Sequence, residues 1–204
     1  MKGILFTSDM IRAIREGRKT VTRRLDGLKE INEHPDEWTP VAVIEDSWVI
    51  QDWEFWRGNT LVDVKPRYRV GEAVYVKELW APCDCGHCPG YIYKADGIPS
   101  LNPPVHWHSP LFMPEKAART FRKIMDVRPE RLWDISESDV LAEGCWQVNP
   151  SHEQWKWRAS DEITGVTARE CYARLWDAIN PSHPWKNNDW VWRIAFEAHQ
   201  EGKQ

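Results

Sequence analysis

The chain has 204 residues, with 27 Lys and Arg against 31 Asp and Glu, a formal net charge of −4 and a mean hydropathy of −0.63. That length suits one domain with a real core, and the charge excludes a polycation. Its apolar runs fall far short of the roughly 20 residues a spanning helix needs, so no membrane partner is expected.

Ile4-Leu5-Phe6 reads as a short strand and runs straight into Thr7-Ser8-Asp9, with no signal-peptide core; a cytoplasmic location is the expectation. Ser8 reads as an N-cap, Met10, Ile11 and Ile14 recur at helical spacing, and Gly17 ends that helix in a left-handed conformation. Lys19-Thr20-Val21-Thr22-Arg23-Arg24 is β-branched and basic, and reads as a strand. Beyond it, Val41–Ile44 and Trp48–Ile50 suggest a hairpin, and Thr60–Val64 another strand. Val70-Gly71-Glu72 is a turn feeding a strand over Ala73–Trp80. The stretch to Pro114 is rich in Pro, Cys, Gly and His, with one brief strand at Tyr91–Tyr93, and reads as an elaborated loop.

Thr120–Val127 reads as a strand. Ser136 then caps a helix that Gly144 stops, and Thr167-Ala168-Arg169-Glu170 is a capping box opening a helix through Leu175, Trp176 and Ile179. Pro181 and Pro184 close it. The last strand, Trp190–Glu197, places Trp190, Trp192, Ile194 and Phe196 on one face. About six strands with two or three helices predict an α+β fold, a small and mostly antiparallel barrel with packed helices, as a single domain over 1–204.

The charge is uneven. Lys2, Arg12, Arg15, Arg18, Lys19, Arg23 and Arg24 face only Asp9 and Glu16 in the first 24 residues. A helix end explains Arg15 and Arg18 through the dipole, but not the basic strand that follows. A local cationic face on an acidic protein suits phosphate or a polyanion such as RNA. Trp, at 14 residues, is far above ordinary usage; most should pack in cores, and the rest are candidate stacking platforms, Trp80 and Tyr75 among them.

Gly17-Arg18-Lys19-Thr20-Val21-Thr22-Arg23-Arg24 resembles the Gly-x-Lys-x-x-(Glu/Thr)-x-Arg signature of the ASCH family, a PUA-like β-barrel superfamily associated with RNA, through Gly17, Lys19, Thr22 and Arg24. Val70-Gly71-Glu72 with Val74 to Glu78 and Trp80 is similar to that family's turn and central strand, especially in phage and prophage members, and Leu175-Trp176-Asp177 with Trp190-Val191-Trp192 is similar to its ending. The resemblance makes 26–68 and 81–115 insertions. The Thr form of the signature is shared with small bacterial N(4)-acetylcytidine amidohydrolases. For those the resemblance implies a catalytic Lys, Thr and Glu, carried here onto Lys19, Thr22 and Glu143, with Glu137 and Glu78 as the other positions for the carboxylate. Arg18, Arg23, Arg24, Tyr75, Glu78 and Trp80 then stand as substrate- or phosphate-binding residues.

Hydrolysing an N-acyl amide needs a nucleophile, a base and oxyanion donors. Thr22 would supply the hydroxyl. Lys19 would act as base once burial or neighbouring cations lower its pKa, and Glu143 would orient the pair or carry the proton. Positions three apart face opposite sides of a regular strand, so this reading requires Lys19 to lie in the bend after Gly17, with strand from about Thr20. The expected function is therefore an amidohydrolase acting on N(4)-acylated cytidine or a related pyrimidine nucleoside. The alternatives are a non-catalytic RNA-binding module and a ribonuclease using the same pocket.

Five cysteines, three within six residues, do not suit a disulfide framework. Cys83-Asp84-Cys85-Gly86-His87-Cys88 carries the Cys-x-x-Cys spacing of a zinc half-site; Cys83, Cys85, Cys88 and His87 are candidate ligands, with His106 or His108 able to complete the set. Such a zinc would be structural, and the chemistry itself requires no cofactor. Cys145 and Cys171 read as packed thiols.

Overall fold

A computed structural model describes residues 1–43, 52–84, 90–97, 105–148 and 156–198. In chain order, β1 (Lys2–Leu5), α1 (Ser8–Arg15) and β2 (Val21–Arg24) are followed by β3 (Thr39–Val43), β4 (Asp52–Arg57) and β5 (Thr60–Val64). Next come β6 (Ala73–Lys77), β7 (Trp80–Pro82), β8 (Tyr91–Tyr93) and the long β9 (Phe121–Arg131). The chain continues through α2 (Glu137–Ala142), β10 (Trp146–Val148), β11 (Lys156–Arg158), β12 (Thr164–Gly165), α3 (Ala168–Ile179) and β13 (Trp190–Ala198). The result is a mixed α+β fold with mostly antiparallel sheets.

The principal sheet has the order β1-β6-β9-β13-β2, with β1 parallel to β6 and the other neighbours antiparallel. Three small sheets, β3-β4-β5, β7-β8 and β10-β11-β12, complete the set. Alternation along β13 divides the interior in two, as a period of two requires. Trp190, Trp192, Ile194 and Phe196 join one core with Ile11 and Ile14 of α1 and with Leu28, Ile31 and Phe55. Val191, on the opposite face, joins a second core with Leu132, Val140, Cys171, Tyr172 and Trp176. Phe55 meets Trp190 and Trp192 edge-on at 5.5 and 6.4 Å, so the β3-β4-β5 sheet packs against the main one.

Several local details differ from the sequence reading. Thr7, not Ser8, caps α1: its hydroxyl accepts from the Met10 amide at 3.4 Å. Two adjacent capping residues left that choice to the entry angle of the chain. The strand from Ala73 stops at Lys77, because Glu78 turns inward to Arg119 and Trp80 starts a separate ladder with Tyr93. β3 pairs with Asp52–Arg57, while Trp48–Ile50 lies outside the described residues.

Among the described residues the principal sheet is open: no ladder joins its edges, β1 and β2. The edges nevertheless come within side-chain reach. Arg24 Nη2 donates to the Leu5 carbonyl at 2.5 Å, and Phe6 packs against Phe196 at 5.9 Å.

Candidate functional site

The site begins where α1 ends. Gly17 takes φ +76°, which a residue without Cβ adopts at little cost, and the amides of Arg18 and Lys19 both donate to the Ala13 carbonyl. This tight exit swings the chain against the end of α2. Lys19 forms an isolated antiparallel bridge with Glu143, and the Thr20 amide donates to Ala142. Regular strand begins only at Val21, so Lys19 lies in the bend and escapes strand alternation.

Lys19 is buried, and its ammonium donates to three acceptors: Val21 O at 2.9 Å, Glu143 O at 2.9 Å and Glu143 Oε2 at 2.5 Å. Those account for all three N–H groups of an ammonium. The other carboxylate oxygen of Glu143 accepts from Arg23 Nη1 at 3.0 Å and from the Tyr172 hydroxyl at 3.1 Å. Burial pulls the Lys19 pKa down and outweighs the attraction of Glu143. Burial pushes Glu143 up, but Lys19 and Arg23 overcome it, and the carboxyl stays below its ordinary range. Tyr172 is pushed well up, first by burial and then by Glu143, so its hydroxyl remains a donor.

A second ring of charge holds Arg23. Its Nε donates to Glu130 at 2.6 Å and its Nη2 to Asp139 at 2.8 Å; Asp139 also takes a fork from Arg193 at 2.8 and 3.0 Å. The fork from Arg193 holds the Asp139 carboxyl below its ordinary value despite partial burial. Glu130 goes the other way, because burial outweighs Arg23.

Beside this network lies a cavity of about 730 Å³. Thr22, Arg23 and Arg24 of β2 form one wall and the first turn of α1, at Thr7 and Ser8, another; Tyr172, Trp176 and Ile179 of α3 face them. Glu143 reaches the cavity, while Lys19 sits beneath its surface, sealed from solvent. No described side chain hydrogen-bonds the Thr22 hydroxyl, although Thr22 itself is buried. A smaller cavity of about 250 Å³ shares Thr7, Met10, Glu143, Leu175 and Ile179 with the first.

The structure thus brings Lys19, Glu143, Arg23 and Tyr172 into contact and puts Thr22 and Arg24 on the adjoining wall. The expected cationic face is mostly neutralised: Arg15 pairs with Asp96, Arg18 with Glu16, Lys19 with Glu143, and Arg23 with Glu130, Asp139 and Glu143. Arg24 alone of these five has no described carboxylate within ion-pairing distance. Its Nε is buried with no hydrogen-bond partner, and its guanidinium lies 5.1 Å from the centre of the Phe6 ring.

The remaining candidates lie elsewhere. Arg18 donates to Gly144 O and covers Trp146 at 5.0 Å. Tyr75 is buried with its hydroxyl on Met113 O; Glu78 is buried in a pair with Arg119 at 2.8 Å; Trp80 stacks on His108 at 5.1 Å. None of these lines the large cavity. Glu137 is exposed in the first turn of α2. Cys83 is disulfide-bonded, so its sulfur is not a free thiolate ligand here, while Cys85, His87 and Cys88 lie outside the described residues. Among the described residues, no group of three or more His, Cys, Asp or Glu side chains is gathered to hold a metal. Sequence reasoning missed Tyr172, Glu130, Asp139 and Arg193, whose meeting depends on strand register and helix placement.

No protein-family model, curated protein or solved structure matches this chain. No helix among the described residues is long and apolar enough to cross a membrane.

Proposed function

We propose that the chain is an amidohydrolase that removes the acyl group from N(4)-acylated cytidine or a related modified pyrimidine nucleoside, on an ASCH-type, PUA-like scaffold. The observation that carries this reading is the buried contact between Lys19 and Glu143 beside a cavity whose wall includes Thr22. Lys19 and Glu143, separated by 124 positions in the chain, are in contact, and Thr22 lines the cavity that Glu143 reaches. A volume of about 730 Å³ falls within the usual range for small-molecule sites, so a nucleoside fits.

In this mechanism the Thr22 oxygen attacks the acyl carbonyl while its proton passes to the Lys19–Glu143 pair. Burial favours the neutral amine of Lys19, which accepts the Thr22 proton through its lone pair, and the Glu143 carboxylate then pairs with the ammonium so formed. The tetrahedral intermediate collapses with return of that proton to the leaving N(4) amine. Water then cleaves the Thr22 ester, giving cytidine and the free acid. Arg23 and Tyr172 position Glu143 throughout.

The test is incubation of the protein with N(4)-acetylcytidine and chromatography of the products. Cytidine and acetate in equal amounts, lost in Lys19→Ala and Thr22→Ala, support the reading. Unchanged substrate at high enzyme concentration removes it.

A further inference from the structure

The cavity contains a feature that amide hydrolysis does not use. Arg24 keeps N–H groups unspent: Nη2 donates to Leu5 O, but Nε is buried with no partner. No described carboxylate pairs with it, and Asp26 on the same wall stays beyond ion-pairing distance. Burial disfavours the charge on Arg24, and the attraction of Tyr68, Glu143 and Asp26 offsets it only in part, so a ligand anion relieves the remaining cost. Independently, the first turn of α1 opens into the same cavity at Thr7 and Ser8. Thr7 caps the Met10 amide, which leaves the amides of Ser8 and Asp9 without intrahelical acceptors at the positive end of the helix dipole. Arg24 and the start of α1, at Thr7 and Ser8, thus line one cavity.

We propose that Arg24 and the first turn of α1 form an anion site for one phosphate, so that the preferred ligand is a pyrimidine nucleoside 5′-monophosphate, not the bare nucleoside and not an RNA chain. The pyrimidine part rests on the function proposed above; the anion site does not. A polymer would need several free cations along its path, whereas the neighbours of Arg24 in the basic segment are committed to Asp96, Glu16, Glu143, Glu130 and Asp139. One uncommitted guanidinium matches one phosphate, which its fork can grip through two oxygens.

Calorimetry with CMP, cytidine, inorganic phosphate and a short oligoribonucleotide tests this without relying on catalysis. CMP is expected to bind at least about tenfold more tightly than cytidine, with inorganic phosphate competing against it. Arg24→Gln is expected to erase that preference, and Arg24→Lys, which keeps the charge but not the fork, to reduce it; melting curves show whether each variant is folded. Equal affinity of the wild type for CMP and cytidine overturns the proposal whatever the variants do. An oligoribonucleotide that binds more tightly than CMP, with steep salt dependence, overturns it in favour of an RNA groove. A CMP preference without hydrolysis of any N(4)-acetylated compound keeps the anion site and removes the amidohydrolase. Equal hydrolysis of acetylated nucleoside and nucleotide, with no CMP preference, does the reverse.

Discussion

Lys19 and Glu143 are joined three times, by an antiparallel backbone bridge, by an ion pair of 2.5 Å between their side chains and by a hydrogen bond of 2.9 Å from the Lys19 ammonium to the Glu143 carbonyl. The bridge fixes both Cα positions, so the main chain sets the approach of amine and carboxylate. Removing one partner of a buried pair costs about 3–5 kcal/mol, because the survivor is stranded. The two halves are not equivalent. Without Lys19, the carboxylate of Glu143 keeps Arg23 and Tyr172; without that carboxylate, Lys19 is left with two carbonyls, and Arg23 and Tyr172 each lose a partner. Glu143→Leu is therefore expected to destabilise more than Lys19→Met, by about 1 kcal/mol or more in urea titrations with comparable slopes. The opposite order would show that Glu143 is not the hub of the network.

Thr22 separates catalysis from stability. Its hydroxyl is not used by the described side chains, so Thr22→Ala should leave the melting temperature nearly unchanged while hydrolysis of N(4)-acetylcytidine falls by at least about 10²-fold. Thr22→Ser, which keeps the nucleophile, should retain measurable turnover. A fully active Ala variant would move the attack from Thr22 to a water molecule.

The carboxyls of Glu143 and Asp139 are held below their ordinary values of 4.5 and 3.8, the first by Lys19 and Arg23 against burial, the second chiefly by Arg193. In the window below those values the unfolded chain binds more protons, so the stability they contribute is complete above it and is lost as pH falls through the folded-state values. Glu130, raised by burial, has the opposite sign just above 4.5 and partly offsets the slope there. Glu143→Gln should give a protein less stable at neutral pH with a shallower acid limb, read from urea midpoints between about pH 3 and 6. An acid limb parallel to that of the wild type would show that Glu143 does not titrate with unfolding.

Two glycines with positive φ permit a controlled comparison. At Gly17 (φ +76°) an added Cβ meets nothing within 4 Å, whereas at Gly144 (φ +98°) it comes 3.0 Å from Ala13 Cβ and 3.2 Å from Lys19 Cβ. Gly17→Ala should cost about 1 kcal/mol from backbone strain alone. Gly144→Ala should cost about 1–3 kcal/mol more from overpacking and should impair activity by displacing Lys19. Similar losses at both positions would mean that the contact around Lys19 is more yielding than its geometry implies.

Much of the scaffold is visible in the residues themselves. Period-two alternation located the last strand, and the Ser136 and Thr167 caps fixed the starts of α2 and α3, with side chains accepting from Asp139 and Glu170. Glu143 was reachable only through the family resemblance, which carries a carboxylate onto it with Glu137 and Glu78 as the other positions. Tyr172 was not: on α3 it reads like any apolar-face residue, and only tertiary packing shows that its hydroxyl ends at Glu143. Arg23 looked like surface charge because one strand's sequence does not say which residues of other strands lie opposite. Once β2 pairs with β13, Arg23 is brought beside Arg193, and the carboxylates that neutralise both come from β9 and α2.

The place of β13 between β9 and β2 bears on how this protein is made. β2 has no other neighbour in its sheet, so the segment bearing Thr22 and Arg24 emerges from the ribosome early and waits, unzipped, until every other strand described here has been synthesised. Nascent chains arrested before Trp190 should therefore carry neither the cavity wall nor the grip on Arg23, and the pocket should assemble in a single late step governed by long-range loop closure.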